Sequence, residues 1–171
     1  MEKFDVYNDD RCLTGKTLVR GEKCGKGENR MVIHICIFNS NGEILIQQRQ
    51  PFKSSWANMW DISVGGSSQC GESSKDAAKR ELKEELGIDF DFSQIRPHLT
   101  MNFENGFDDF YILNFDVDLN TLILQQEEVQ SVKWATKEEI IELIKENKFI
   151  PYCEEFISLL FDLRLKRGIL K

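Results

Sequence analysis

The segment SSKDAAKRELKEELG, from Ser73 to Gly87, constrains the fold more than any other part of the chain. Ser73 is a strong N-cap, and Asp76, three residues on, is a short version of the capping-box acid. Ala77, Ala78, Leu82 and Leu86 recur at helical spacing, and Gly87 supplies a C-terminal stop. On a helical wheel Ala78, Leu82 and Leu86 share one apolar arc, which a core must cover. Lys75, Lys79 and Lys83 line the solvent flank, while Glu81, Glu84 and Glu85 gather on the other flank at the rim of that core. Like charges three and four residues apart repel on a helix, so the cluster does not serve stability. Taken alone, ELKEEL reads as a solvated acidic face balanced by the neighbouring lysines. A hard divalent cation with oxygen ligands would instead turn the repulsion into attraction.

The residues upstream decide between these readings. Val64-Gly65-Gly66 follows a short expected strand, Asp61-Ile62-Ser63, and Gly71 and Glu72 lead into the helix. From Gly66 to Ile88 the chain fits G-x5-E-x7-R-E-U-x-E-E-x-G-U, where U is a bulky apolar residue. Gly66, Glu72, Arg80, Glu81, Leu82, Glu84, Glu85, Gly87 and Ile88 fill every fixed position. This stretch closely resembles the signature box of the Nudix family.

The resemblance implies an α/β fold, an α/β/α sandwich around a mixed β-sheet, with the box forming a loop, helix and loop at one end of the sheet. It implies a hydrolase that cleaves a diphosphate linkage in a nucleoside diphosphate joined to another moiety, by attack of water at phosphorus. The implied cofactor is Mg²⁺ or Mn²⁺, held by Glu81, Glu84, Glu85 and the backbone carbonyl of Gly66. Both ions prefer oxygen ligands and keep waters that phosphate oxygens can share. Glu72 and Arg80 correspond to positions that hold the loop against the helix, with Gly87 closing the box. Glu81 is the preferred general base, and Glu128 is the candidate for an additional metal ligand. Glu104 and Glu127 are the other available carboxylates, each read as a solvated surface acid unless the fold brings it inward.

Composition excludes several partners. The chain has 171 residues, 41% of them hydrophobic, which suits one folded domain and disfavours disorder. Its 22 basic and 29 acidic residues give a net charge of −7 with no basic stripe, so nucleic acid is not an expected partner. An acidic protein with an anionic substrate needs local help from metal or a few Arg and Lys side chains. The N-terminal MEKFDVYNDD lacks the apolar core of a signal peptide, and Met31 to Phe38 is too short to span a membrane. Five scattered cysteines without a C-x-x-C pair suggest reduced thiols in a cytoplasm, with neither a disulfide frame nor a zinc site.

No repeat or linker divides the sequence, so it reads as one domain, with N-terminal strands over 1–30, the box over 66–88 and C-terminal helices over 137–168. Strands are expected at Phe4 to Tyr7 and Thr17 to Arg20, around a turn at Leu13-Thr14-Gly15. Met31 to Phe38 and Glu43 to Arg49 should form strands joined by the hairpin signal Asn39-Ser40-Asn41-Gly42. Further strands are expected at Ile95 to Phe103, Phe110 to Val117 and Val129 to Trp134. Helices follow at Lys137 to Lys145 and Tyr152 to Lys166, the second opened by Pro151. That last helix is apolar over more than one stripe, which leaves a homodimer open.

On the substrate side, Arg49 and Arg20 are the candidate phosphate contacts, with Lys16 as a third; exposed charge is the simpler reading of each. Trp56, Trp60, Phe103, Phe107 and Tyr111 could include a stacking surface for a base, but most are expected in the core. His34 reads as a satisfied core histidine, and Cys70 as a spectator thiol close to the metal. Leu13 to Thr17, Ile37 to Asn39 and Trp60 to Val64 also resemble the isopentenyl-diphosphate isomerase branch of the superfamily. That enzyme uses a cysteine just before the box glycine and a histidine just after it, where this chain has Gly65 and Ser67. A non-catalytic nucleotide-binding module is the third reading, and the intact box argues against it.

Overall fold

The computed structural model describes residues 2–165. At its centre is β3 (Arg30–Phe38), which pairs in parallel with β8 (Gly106–Asn114) along its whole length. Its side chains alternate between two layers, as strand geometry requires. Ile33, Ile35 and Ile37 face one core, while Cys36 and Phe38 face the other. The first core is closed by α1 (Ser74–Leu86), through Ala77, Ala78, Leu82 and Leu86. The second is closed by α2 (Lys137–Lys145) and α3 (Glu154–Leu163), through Ile140, Phe156, Ile157 and Leu160. The result is an α/β/α sandwich around a mixed sheet.

The hairpin at Asn39 to Gly42 forms, with Gly42 at φ 83° and the Asn39 N–H donating to Glu43 O. Beyond it β3 and β4 (Ile44–Arg49) pair only at Phe38 and Ile44, and then separate. Two short strands fill the fork. β5 (Trp60–Ile62) pairs with β4, and β6 (Val64–Ser67) pairs with β3 over Val32 to Ile35. Ser63, fully buried between them, ties the branches together. Its Oγ accepts from the Ile37 N–H (2.9 Å) and donates to Leu45 O (2.6 Å). A buried polar link of this kind replaces the ladder bonds that the divergence removes. The sheet is completed by β7 (Leu99–Phe103) beside β8 and β9 (Val129–Ala135) beside β4. A separate hairpin, β1 (Lys3–Tyr7) and β2 (Leu13–Val19), lies outside it.

α1 obeys its local signals. Ser73 and Asp76 complete a reciprocal capping box, and Gly87 ends the helix in the left-handed conformation. Several expected boundaries shift. Leu13 to Gly15 lie within β2, and the turn falls at Asn8 to Cys12, where the Asn8 side chain accepts from Asp10 and Cys12 N–H groups. The expected strand at Ile95 begins only at Leu99, after Pro97, and the next ends at Asn114 rather than Val117. Gly65 and Gly66 are strand residues, because β3 offers them a partner. Pro151 precedes α3 by three residues, with Cys153 at the N-cap, and the Tyr152 hydroxyl donates to Asp61 Oδ1 (3.2 Å). The expected helix residue Lys166 and the range 166–168 lie outside the described residues. α3 leaves Leu159 exposed.

Candidate active site

The fork between β3 and β4 opens into a cavity of about 1240 Å³ at the end of the sheet. α1 delivers Arg80, Glu81, Glu84 and Glu85 to one wall, and β6 delivers Gly65 and Gly66. Although the three glutamates share one flank, their environments differ sharply. Glu85 is 4% exposed, whereas the Glu84 side chain is 46% exposed. Burial pushes the Glu85 carboxyl well up, and the Glu81 charge adds to it. Among the described residues its carboxyl has one hydrogen bond, from Gln47 Nε2 on β4 (2.9 Å), and Gln47 Oε1 is itself buried without a partner. Burial also pushes Glu81 up, to about 7, against the opposing pull of Arg80. The Glu81 carboxylate lies so close to Gly66 that a Cβ there would overlap its Cδ and Oε1.

Arg80 is the hub of the box. Nε donates to Glu72 Oε1 (2.6 Å), and Nη2 donates to Glu72 Oε2 (2.9 Å) and to the Ser67 carbonyl (3.1 Å). Nη1 reaches Glu81 Oε1 (2.9 Å) and Glu84 Oε2 (3.1 Å). Burial alone would push Glu72 up, but the guanidinium and the Gln69 N–H hold it below its ordinary value. One side chain thus ties the loop to the helix and orients a site carboxylate. Arg80→Lys keeps the charge but loses the planar fork. It is expected to cost about 1–2 kcal/mol, measurable as lowered thermal stability in metal-free buffer. An unchanged midpoint would show that the fork holds nothing.

The donor set suits a hard cation. Two carboxylates resist ionisation because they are desolvated, an amide oxygen is orphaned between strand and helix, and a glycine backbone is in contact. Among the described residues, no three His, Cys, Asp or Glu side chains already stand as a ready ligand group, and Arg80 Nη1 pairs with both Glu81 and Glu84. Glu128 lines the cavity but is ion-paired to Lys53 (2.6 Å).

The other expected residues divide. Arg49 lines the cavity and donates weakly to Ser55 O (3.3 Å). Arg20 also lines it, but is engaged by Glu2 (2.7 Å) and lies over the Phe4 ring. Lys16 is held by Glu28 (2.7 Å) and does not line the cavity. Glu104 lines it, and Glu127 does not. Trp60, Phe107 and Tyr111 pack inward, whereas Trp56 and Phe103 stand exposed at the cavity. Cys70 does not line the cavity: its Sγ donates to Oδ1 of Asp5 (3.1 Å), which does. His34 is satisfied by Asp108 (2.8 Å) and stacked on Phe110, yet it forms part of the cavity wall. Gln47, Lys53, Asp61 and Tyr152 carry no local sequence signal, and only the packing brings them to the site.

Fold and site together define an α/β/α domain with an acidic loop–helix–loop at the fork of a mixed sheet. The family described as NUDIX domain matches residues 28–153. An uncharacterized Nudix hydrolase of Listeria monocytogenes is 49% identical over 164 residues, covering 96% of each chain. An isopentenyl-diphosphate Delta-isomerase of Salmonella arizonae is 30% identical over 110 residues, covering 61% of this chain and 60% of its own. A Deinococcus radiodurans crystal structure superposes with a TM-score of 0.75 at 24% identity, covering 95% of this chain and 99% of that one. The chain belongs to the Nudix family and is a Nudix hydrolase, of a family that acts on diphosphate-containing substrates and generally uses divalent metal ions. Among the described residues no helix is long and apolar enough to cross a membrane.

Proposed function

We propose that this chain is a Mg²⁺- or Mn²⁺-dependent hydrolase that cleaves the diphosphate linkage of a nucleoside diphosphate joined to another moiety. The observation that carries this reading is the pair of desolvated carboxylates, half-buried Glu81 and buried Glu85, opening onto the cavity beside Gly66. Glu81, Glu84, Glu85 and the Gly66 carbonyl would hold the metal, with Glu128 as an additional ligand once Lys53 releases it. When bound, the metal supplies charge neutralisation at the phosphate oxygens. Glu81 takes the proton of the attacking water. Arg80 holds Glu81 in place through Nη1. Arg49, Lys53 and Arg20 meet phosphate oxygens from the opposite walls.

Isomerase chemistry is disfavoured by the space at Gly65 as well as by its identity. A Cβ there would stand 2.8 Å from Cδ2 and Nε2 of His34, so the imidazole occupies the room a cysteine needs. The decisive assay incubates the protein with Mg²⁺ and a panel of nucleoside diphosphate derivatives, and separately with isopentenyl diphosphate. Cleavage that a chelator stops is the expected result. Isomerised product without cleavage, or tight nucleotide binding without turnover, would overturn the hydrolase reading.

A further inference from the structure

Across the cavity from α1 the floor is polar, and one of its acids is incompletely satisfied. Asp61 of β5 lines the cavity yet is only 4% exposed. Its Oδ1 accepts from the Ile62 N–H (2.8 Å) and from the Tyr152 hydroxyl (3.2 Å). Its Oδ2 receives no hydrogen bond from the described residues. Oδ2 is not one of the fully enclosed side-chain atoms without a partner, so it is an acceptor open to the cavity, and a ligand that sealed it from water would have to supply a donor. Burial raises the Asp61 carboxyl, while His34, the Ile62 N–H, Arg49 and the Tyr152 hydroxyl around it favour the ionised, accepting form.

The position of Asp61 says what would bring that donor. In the β4–β5 register it stands opposite Gln47, the residue that donates to Glu85. It is therefore one strand away from the carboxylates, and Ile150, Tyr152 and His34 line the cavity with it. One aliphatic chain and two flat rings suit a planar heterocycle. A diphosphate at Glu81 and Glu85 would carry its attached group toward this floor.

We propose that Asp61 is a specificity-determining residue: its free Oδ2 selects a nucleobase that presents an exocyclic amino group over the keto counterpart. The proposal rests on the hydrolase reading above. An amino N–H fills the empty acceptor. A keto oxygen sets two acceptors against each other and leaves the buried acid unpaired, the situation that discriminates most strongly in binding sites.

The test uses matched nucleoside diphosphate derivatives that differ at this group: cytidine against uridine, and guanosine or adenosine against inosine. With Mg²⁺, kcat/KM of the wild-type protein is expected to favour the amino member by about 10- to 100-fold. Asp61→Asn is nearly isosteric. Its oxygen can still accept from Ile62 and Tyr152, which leaves an NH₂ at the free position. The amino-over-keto ratio should then fall to unity or invert. A ratio measured on one preparation is independent of the fraction of folded enzyme, so a merely structural role for Asp61 would lower both rates and leave it unchanged. A wild-type ratio near unity, or one that Asp61→Asn does not move, overturns the proposal while the hydrolase reading stands. Absence of cleavage of any nucleotide derivative overturns both.

Discussion

Glu85→Gln is expected to lower metal-dependent kcat/KM by about 10²- to 10³-fold, the scale of losing one preorganised charged group in a closed site. The same substitution should stabilise the metal-free protein. Glu85 is buried with a single neutral donor, Gln47 Nε2, while Gln47 Oε1 lacks a partner. Gln in place of Glu85 removes the desolvated charge at any pH where Glu85 is ionised, and it offers an N–H to that oxygen. A gain of about 1–2 kcal/mol is expected, or a few degrees in Tm for a chain of this size. Unfolding of the variant in metal-free buffer, with residual activity still responding to metal, would mean that the acid is structural.

The sign of the pH dependence follows from the raised carboxyls. In the unfolded chain they titrate near the ordinary value of about 4.3. In the fold Glu81 holds its proton up to about 7, and Glu85 is displaced in the same direction. Between the unfolded and folded values the native state binds more protons, so stability falls as pH rises. The metal-free Tm should therefore decline from about pH 5 to about pH 7. The decline should flatten in the Glu81→Gln, Glu85→Gln double variant, and Mg²⁺ should reverse it in the wild type alone. A metal-free Tm that rises over this range would contradict the assignment.

Gly66→Ala is the second large effect, expected to reduce turnover by about 10²-fold with the fold retained. The added methyl would occupy the volume of the Glu81 Cδ and Oε1, so the carboxylate must swing away. Displacing it also breaks the Arg80 Nη1 contact that orients it. The fold should survive because the β3–β6 ladder uses Gly66 only through its backbone. Circular dichroism and a Mg²⁺ titration of activity check both halves. Wild-type turnover would show that the approach of Glu81 to Gly66 is not part of the working site.

Much of the site was legible because its signals are local. The capping box of Ser73 and Asp76, the Gly87 stop and the apolar arc of α1 each depend on residues within a few positions of one another. The apolar run from Met31 to Phe38 reads as a buried strand for the same reason. Other features escaped because their causes lie far away in the chain. The turn at Leu13 to Gly15 gave way to β2 because Lys3 to Tyr7 offers a ladder there. Arg20 reads as a free cation until Glu2 is placed beside it. Cys70 is close to the acids in sequence, yet the loop carries it out toward Asp5 on β1.

The sequence by itself determined the helix, the order of its acids, the box and thereby the family, since spacing along one helix suffices to put three carboxylates on one flank. The tertiary structure alone decided what those carboxylates are. Glu84 and Glu85 are adjacent and chemically identical, but one is half in water while the other is sealed beneath β4 against Gln47. Asp61, Tyr152 and His34 likewise meet only because the sheet forks. Ionisation depends on desolvation and on charges a few ångströms away in space, and those neighbours are set by packing between segments that no local pattern connects.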